Sequence, residues 1–233
     1  MEDVPNSVLV AGATGGTGRE IIRLLDNRSP TVTAMTRSAE NEDMLRTLGA
    51  DQVVVDDLLS PSNLKQTLAD VDVILSAVGS SPRAILSSEP LVDGAGNQAL
   101  IDAAIQTDVD QFIMESALGV GPEPHSALGT IFNIAIKRVQ RAKEQAENAL
   151  REGQIAYTII RAGILTNGPL TREVTVAKPG TKLWGTISRK DVAWIMTAAL
   201  VTPELRNSIM EAITRPNRQN GMSVDWALPP RQK

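Results

Sequence analysis

The segment Gly12-Ala13-Thr14-Gly15-Gly16-Thr17-Gly18 decides the fold that this sequence predicts. It follows an apolar run at residues 8–11, which is typical of a buried strand. It precedes residues 18–27, where apolar side chains recur at helical spacing. A strand, a glycine-rich turn and a helix in this order are typical of a Rossmann-type unit that binds a dinucleotide. The sequence therefore predicts a phosphate-binding turn at residues 12–18.

The glycines of this turn have G-x-x-G-x-x-G spacing and separate expected roles. Gly12 permits the tight bend, Gly15 lets the backbone approach a pyrophosphate, and Gly18 lets the helix pack closely on the strand. The start of the helix offers N–H groups and the positive end of its dipole to the phosphates. No Lys-Ser or Lys-Thr follows Gly18, so the turn is not a P-loop. A glycine-rich turn that binds nothing is the alternative, and the flanking strand and helix argue against it.

Strand-like and helical segments alternate along the rest of the chain. Strands are predicted at residues 31–36, 52–55, 72–77, 111–115, 156–161 and 208–213, and helices at 39–48, from Ser60-Pro61 onward, and at 97–106, 130–151 and 189–201. This pattern predicts an α/β fold of Rossmann type, a doubly wound parallel sheet with helices on both faces. A single domain is expected over residues 1–233, with a core at 7–213, a small C-terminal substrate-side region and an irregular tail at 214–233.

Composition excludes several classes of function. A formal net charge of −4 gives no general attraction for nucleic acid or anionic lipid, and 3% aromatic residues provide no stacking platform for single strands. The absence of cysteine excludes disulfides, thiolate nucleophiles and cysteine-ligated metals, and a single histidine, His125, argues against a histidine-rich metal site. The acidic first residues predict no secretory signal, and no apolar stretch of the sequence has the length of a membrane span. We expect a cytoplasmic monomer or homodimer with a small-molecule substrate, no bound metal, no nucleic-acid partner and no membrane partner.

The end of the second predicted strand indicates which nicotinamide cofactor binds. NAD-binding units place an acidic residue there, which hydrogen-bonds the ribose 2′-hydroxyl. This sequence has Thr36-Arg37-Ser38 instead, so no carboxylate repels a 2′-phosphate. The planar guanidinium of Arg37 is suited to bind one. The sequence therefore favours NADP(H), and an exposed arginine without a ligand is the alternative.

The next two strand ends have residue types that suit the adenosine part of such a cofactor. Asp56-Asp57-Leu58 follows the third strand, and an acidic residue there can accept a hydrogen bond from the adenine amino group. Ala77-Val78-Gly79 ends the fourth strand, and these small residues leave room for the adenosine ribose and the diphosphate.

Together with later motifs, these residues resemble the atypical short-chain dehydrogenases/reductases. The sequence is most similar to the NAD(P)-binding NmrA-like and biliverdin reductase B-like (flavin reductase-like) proteins. The later motifs are Lys143-Glu144-Gln145-Ala146-Glu147-Asn148-Ala149-Leu150, Tyr157-Thr158-Ile159-Ile160-Arg161-Ala162-Gly163 and Ile187-Ser188-Arg189-Lys190-Asp191-Val192-Ala193. The similarity runs from about residue 7 to about residue 213.

The resemblance implies a role for each matching residue. The diphosphate would be held by Gly12, Thr14, Gly15, Gly16, Thr17 and Gly18, and the 2′-phosphate by Arg37 with Ser38. Adenine would lie between Asp57 and Leu58, and the nicotinamide against Ala162, Gly163 and Ile164. Lys143 would reach the nicotinamide ribose, and Ser116 matches the active-site serine of the family. From the residues alone, a solvated Lys143 and a Ser116 that bonds backbone groups stay open as alternatives.

One departure from the wider superfamily bears on the reaction. Its active dehydrogenases use Tyr-x-x-x-Lys, in which the lysine lowers the pKa of the tyrosine that acts as acid or base. If Lys143 is that lysine, Val139 occupies the tyrosine position, and Tyr157 lies in the sixth predicted strand. Standard alcohol oxidation needs a base on the hydroxyl, and this sequence therefore lacks the tyrosine that would act as that base. Biliverdin reductase B-like proteins also lack this tyrosine, and the resemblance to them implies hydride transfer to flavins and other conjugated acceptors.

Three functions stay open at this point. The first is an NADPH-dependent reductase of a small conjugated acceptor, with a flavin or a quinone as examples. The second is an NADP(H) sensor or regulator without turnover, which the resemblance to NmrA-like proteins implies. The third is an assembly or scaffold protein that kept the nucleotide fold. His125, in a loop over the expected site, is either a proton donor to the substrate or simply exposed.

Overall fold

The computed structural model describes residues 4–121, 130–181, 183–214, 224 and 226–231, with the helical backbone alone at 130–135. Its strands are β1 Ser7–Ala11, β2 Thr31–Thr36, β3 Gln52–Val55, β4 Val73–Ser76, β5 Gln111–Ala117, β6 Ala156–Ala162, β7 Ile164–Thr166, β8 Thr175–Ala177, β9 Thr186–Ser188 and β10 Ser208–Ile213. Its α-helices are α1 Gly16–Leu25, α2 Glu42–Thr47, α3 Leu64–Thr67, α4 Pro82–Leu86, α5 Asn97–Ile105, α6 Thr130–Glu152 and α7 Arg189–Ala198.

The main sheet has eight strands in the order β3-β2-β1-β4-β5-β6-β10-β8, and β7 pairs separately with β9. All neighbours in the main sheet are parallel except β8, which runs antiparallel to β10 at one edge. The order of the first six strands is that of a Rossmann fold. The predicted α/β fold class is confirmed.

Both faces of the sheet are buried, which explains why its strands are apolar rather than alternating. Side chains of β1 alternate between the faces: Val8 and Val10 pack with Ile21 of α1, whereas Leu9 packs with Leu100 of α5 on the other face. Helices α1 and α7 cover the first face, and α5 and α6 cover the second. This arrangement leaves the carboxyl ends of the strands at one edge of the sheet.

Several predicted boundaries need correction. The helix predicted from Ser60 begins at Leu64, because the carboxylate of Asp56 accepts hydrogen bonds from the backbone N–H groups of Ser62 and Asn63 and holds them in a loop. The helix predicted to continue to residue 201 is α-helical only to Ala198 and then becomes a 3-10 turn. Strands β7, β8 and β9 were not predicted, because three residues are too few to show a period.

The part of the C-terminal tail that is described packs on the core although it forms no helix. The ring of Trp226 lies 5.3 Å from that of Trp194 in α7. The carbonyl oxygens of Pro229 and Pro230 accept hydrogen bonds from Arg28 Nη1 and the Ser29 N–H. The tail therefore covers the side of the α1–α7 layer away from the glycine-rich turn.

Among the helices described here, none is long and apolar enough to cross a membrane.

Candidate functional site

The predicted site residues gather at the carboxyl edge of the sheet, where the order of strands reverses. From β1 the chain goes to β2 on one side and then returns to β4 on the other. Crevices at such switch points are where doubly wound sheets bind ligands.

The glycine-rich turn links β1 to α1 and is closed by its own backbone. Gly12 has φ +74°, and a Cβ there would lie 2.4 Å from the carbonyl oxygen of Ala77. A Cβ on Gly18 would lie 2.3 Å from the carbonyl oxygen of Gly12. Side chains at these positions would therefore push the turn off β4 and off the start of the helix, which agrees with the expected roles of both glycines.

The amino terminus of α1 is open to solvent at its first residues. Gly15 is the N-cap residue, and no side chain caps the helix. Gly15 and Gly16 are exposed and Thr14 is half-buried, whereas the hydroxyl of Thr17 points inward. A helix start without a side-chain cap leaves N–H groups for an anion, so the backbone here fits the diphosphate of a dinucleotide.

The end of β2 presents a cation that has no partner among the described residues. Arg37 is exposed, and no residue in the described ranges forms an ion pair or side-chain hydrogen bond with it. Thr36 Oγ1 accepts hydrogen bonds of 3.3 Å from the Ser38 N–H and from Asn41 Nδ2, which fixes the turn after the strand. Ser38 caps the following 3-10 turn through the Glu40 N–H. The backbone around Arg37 is thus held while its guanidinium stays available.

The two aspartates after β3 have different surroundings. Asp56 is buried and accepts hydrogen bonds from Asp57, Ser62 and Asn63. Burial raises the pKa of Asp56, but these hydrogen bonds together outweigh burial and hold the pKa below its usual value. Asp57 is half-buried and accepts one hydrogen bond, from the Leu59 N–H at 3.0 Å. Asp56 therefore shapes the loop, and Asp57 keeps acceptor capacity.

The end of β4 contacts the glycine-rich turn through its backbone. The Ala77 N–H donates to the carbonyl oxygen of Ala11 at 3.0 Å. Val78 is buried, as is Leu58 across the crevice, whereas Gly79 is exposed. The end of β4 and the glycine-rich turn are thus in contact, and the room that these residues would leave for the ribose and the diphosphate stays a prediction.

Lys143 of α6 is buried in an ion pair that the sequence did not predict. Its Nζ lies 3.1 Å from Asp93 Oδ1 and donates to the carbonyl oxygen of Glu115 at 3.2 Å. The other carboxylate oxygen of Asp93 accepts the Ser80 N–H at 2.7 Å. The alternative of a solvated Lys143 is therefore excluded, and this side chain ties α6 to the ends of β4 and β5.

Glu115 is a second buried acid that the sequence analysis missed. Its Oε1 accepts a hydrogen bond of 3.3 Å from the hydroxyl of Thr17, beneath the glycine-rich turn. Burial raises the pKa of Glu115, and the charge of Lys143, the Thr17 hydroxyl and Arg189 oppose that rise only in part. A charged residue directly after the apolar run Phe112-Ile113-Met114 was the available signal. A carboxyl that favours its neutral form thus lies under the crevice.

Ser116 points to the opposite face of the sheet from Glu115 and belongs to a three-residue network. Its hydroxyl donates to Glu147 Oε1 at 2.5 Å. Arg161 of β6 donates to the same carboxylate from Nε at 3.1 Å and from Nη2 at 2.6 Å. Because Glu147 is 2% exposed, the network is almost dry. The proton of the Ser116 hydroxyl is therefore directed at Glu147.

The end of β6 requires a glycine. A Cβ on Gly163 would lie 2.6 Å from the carbonyl oxygen of Gly185. The N–H groups of Gly163 and Ile164 donate to the carbonyl oxygens of Ala212 and Gly185. Ala162 is buried, but the side chain of Ile164 is 57% exposed. Ile164 thus offers apolar surface at the edge where the resemblance places the nicotinamide.

Candidate proton donors are scarce near these strand ends. Tyr157 lies at the amino end of β6, opposite the crevice. Val139, at the position where the superfamily has tyrosine, is half-buried one turn before Lys143. His125 lies outside the described residues.

Two cavities of about 620 and 630 Å³ lie along α6, and Gly94, Ala95 and Gln145 line both. Neither lining includes a predicted site residue among the residues described. We place the site at the sheet edge because the strand ends and the helix start meet there.

Comparisons with known proteins agree with this geometry. The family described as NAD(P)H-binding matches residues 12–203. An uncharacterised sugar epimerase, YhfK of Bacillus subtilis, is 34% identical over 83% of this chain and 87% of its own length. Sanguinarine reductase of Eschscholzia californica is 26% identical over 94% of this chain and 93% of its own length. The solved structure of a putative NAD-dependent epimerase/dehydratase from Bacillus halodurans superposes with a TM-score of 0.76 and 27% identity, covering 94% of this chain and 95% of that one.

Proposed function

The chain belongs to the NAD(P)H-binding family, in its atypical short-chain dehydrogenase/reductase group, and from this premise we propose an NADPH-dependent reductase of a small conjugated acceptor. Flavins and quinones are the examples to test first. The proposal rests on one contrast within the crevice. Arg37 is a cation that is available to a ligand, whereas the acid and base side chains at the other strand ends are bonded to one another.

The choice of NADPH follows from the end of β2. Arg37 is exposed, its flanking turn is held by Thr36, and the position carries no carboxylate that would bind a ribose 2′-hydroxyl. A guanidinium can donate two hydrogen bonds to a phosphate, and these are stronger than bonds between neutral groups. Arg37, with Ser38 beside it, would hold the 2′-phosphate, and Asp57 with Leu58 would flank the adenine.

The rest of the cofactor would lie across the turn and the next strand ends. The diphosphate fits the uncapped start of α1, where the exposed Gly15 and Gly16 let it approach the backbone. The exposed apolar side chain of Ile164, beside Gly163, would contact the nicotinamide ring. Lys143 would lie near the nicotinamide ribose while its ion pair with Asp93 holds its ammonium in place.

The reaction class follows from what these residues can and cannot do. NADPH, when bound, supplies a hydride, and the protein mainly positions it. Removing a proton from an alcohol needs a base such as tyrosine, and Val139 cannot act as one. A conjugated acceptor needs no such base, because water can protonate it after the hydride arrives. The name of one relative, sanguinarine reductase, supports a reductase.

A second candidate is an NADP(H) sensor without turnover. It is favoured by the network at Ser116, whose hydroxyl proton is directed at Glu147 and not at the crevice. The lysine at the family's catalytic position is likewise bonded to Asp93 and to backbone. Both predicted catalytic residues would then stabilise the fold at the end of β5 and act on no substrate.

One experiment separates these candidates. Binding of NADPH and NADP⁺ is measured by quenching of protein fluorescence, and oxidation of NADPH is then followed by absorbance with a panel of flavins and quinones. We expect tight NADPH binding and protein-dependent oxidation with at least one planar acceptor, reduced in Arg37→Ala. Binding of both cofactor forms with no oxidation by any acceptor would favour the sensor.

A further inference from the structure

Arg189 begins α7 and lies against the glycine-rich turn. Ser188 caps this helix by accepting the Asp191 N–H at 3.0 Å, which fixes the start of α7. A Cβ built on Gly16 would fall 2.3 Å from Arg189 Cδ and 2.9 Å from Arg189 Nε. The side chain of Arg189 therefore occupies the space that a side chain at Gly16 would fill, and its guanidinium stands beside the first residue of α1.

The guanidinium of Arg189 and the start of α1 both carry positive charge, which an anion bound between them would balance. Helices α1 and α7 pack on one another, and Gly16 and Arg189 are their first residues. Both helix starts carry positive partial charge, which the buried Asp191 offsets in the first turn of α7, whereas the first turn of α1 has no acidic residue. Two helix starts and a guanidinium thus converge at one point of the crevice.

The observed contacts of Arg189 leave its charge largely uncompensated. Its Nη1 donates to Asn167 Oδ1 at 2.8 Å, and this amide is neutral. No carboxylate within the described ranges forms an ion pair with it. Glu115 is buried and accepts a hydrogen bond from Thr17 of the turn. Arg189 is half-buried, so part of its guanidinium is open to a ligand.

We propose that Arg189 is a cofactor-binding residue whose guanidinium binds the diphosphate of the nicotinamide dinucleotide at the start of α1. This inference rests on the proposed function, and it assigns Gly16 a second task, which is to admit the arginine. A guanidinium matches two phosphate oxygens at once, which an ammonium cannot do. Because NADPH and NADH share the diphosphate, Arg189 contributes equally to both, unlike Arg37.

The test measures the Kd of NADPH and of NADH, by fluorescence quenching, for the wild type and four variants. Arg189→Ala and Arg189→Gln should raise both Kd values by the same factor, about 10- to 100-fold, as expected for charge-assisted hydrogen bonds. Arg37→Ala should instead raise the Kd of NADPH alone. Lys190→Gln removes an exposed cation one position further along α7, and it should change neither value. Thermal unfolding without cofactor shows that each variant is folded.

A double-mutant cycle with Gly16→Ala tests the contact itself. The added methyl should displace Arg189 and weaken both cofactors in the wild type, but it should have little further effect in Arg189→Ala. Wild-type Kd values in both Arg189 variants would overturn the proposal. A wild-type Kd in Arg189→Gln together with a raised Kd in Arg189→Ala would also overturn it, because packing of the side chain alone would then explain the effect on binding. If cofactor binding depends on Arg189 but no acceptor is reduced, only the reductase proposal is refuted. If the wild type binds neither cofactor, both proposals are refuted.

Discussion

The two halves of the crevice differ in what their polar side chains do. At the ends of β2 and β3, Arg37 is exposed with no partner in the part of the chain that the structure describes, and Asp57 keeps acceptor capacity. At the ends of β4 and β5, the polar side chains are buried and bond one another: Asp93 with Lys143, Thr17 with Glu115, and Ser116 and Arg161 with Glu147. The polar groups of the first, exposed half are thus open to a ligand, whereas those of the second, buried half bond one another.

This difference has a physical cause. A charge in water needs no partner, but a buried charge is costly unless it is paired and hydrogen-bonded. A residue at a catalytic position of a family can therefore become part of the fold once a buried partner faces it. Ser116 and Lys143 illustrate this, because each touches a buried carboxylate that motif matching did not reveal.

The largest effect that we expect concerns the Glu147–Arg161 pair. Glu147→Ala leaves the guanidinium of Arg161 without its bidentate partner in a dry environment, and it also leaves the Ser116 hydroxyl without its acceptor. We expect the free energy of unfolding to fall by about 3–5 kcal/mol, as is typical when one partner of a buried ion pair is removed. Urea denaturation measures this change.

The matched control is Glu152→Ala, at the exposed end of the same helix. It should change the free energy of unfolding by less than about 0.5 kcal/mol. Equal, small losses of unfolding free energy in both variants would mean that the network stabilises the fold no more than an exposed glutamate does. The contrast between the two halves of the crevice would then be wrong.

The next effect concerns the exposed half. Arg37→Ala should raise the Kd of NADPH about 10- to 100-fold, because one or two charge-assisted hydrogen bonds to the 2′-phosphate are lost. The Kd of NADH should not change, and neither should the free energy of unfolding, since Arg37 has no partner in the described chain. Fluorescence titration measures both Kd values.

Arg19→Ala removes another exposed cation, on α1, and serves as the control for a general effect of charge. It should leave both Kd values unchanged. A similar weakening of NADPH and NADH by Arg37→Ala would place Arg37 away from the 2′-phosphate and remove the basis for preferring NADPH.

The sequence signals for the exposed half of the crevice are local. The glycines, the apolar strand before them and the helix after them lie within one stretch of chain, and Gly12 has the positive φ that its role requires. The alternation of strands and helices likewise predicted the parallel sheet. Arg37 follows the second strand directly, so its placement at the strand end could be predicted without knowing any distant contact.

The buried half could not be predicted in the same way because its partners are distant in sequence. Asp93, Glu115 and Lys143 meet only after α6 packs across the ends of β4 and β5. Asp93 lies between the strand predicted at 72–77 and the helix predicted at 97–106, and the structure forms a π-helical turn there. In the sequence Arg189 is only one residue of the motif at 187–193, because its contact with Gly16 depends on the packing of α7 against α1.

The smallest and most specific prediction concerns Glu115 and pH. Because burial raises the pKa of this carboxyl in the folded protein, the neutral form contributes stability that is fully present below the ordinary carboxyl pKa. That contribution is lost as the pH rises through the raised pKa, since the folded state then has to release a proton that it binds more tightly than the unfolded state. Glu115→Gln, which cannot ionise, should remove this loss, so its advantage in free energy of unfolding over the wild type should grow as the pH rises across that window.

Thr17→Val provides the complementary variant. It removes the hydroxyl that favours the ionised form of Glu115, so the pKa should rise further and the loss of stability should extend to higher pH. Urea denaturation at a series of pH values compares the three proteins. Parallel curves for the wild type and Glu115→Gln would mean that Glu115 ionises as freely as in the unfolded chain. In that case water reaches the second half of the crevice, and its polar groups are as available to a ligand as Arg37 is.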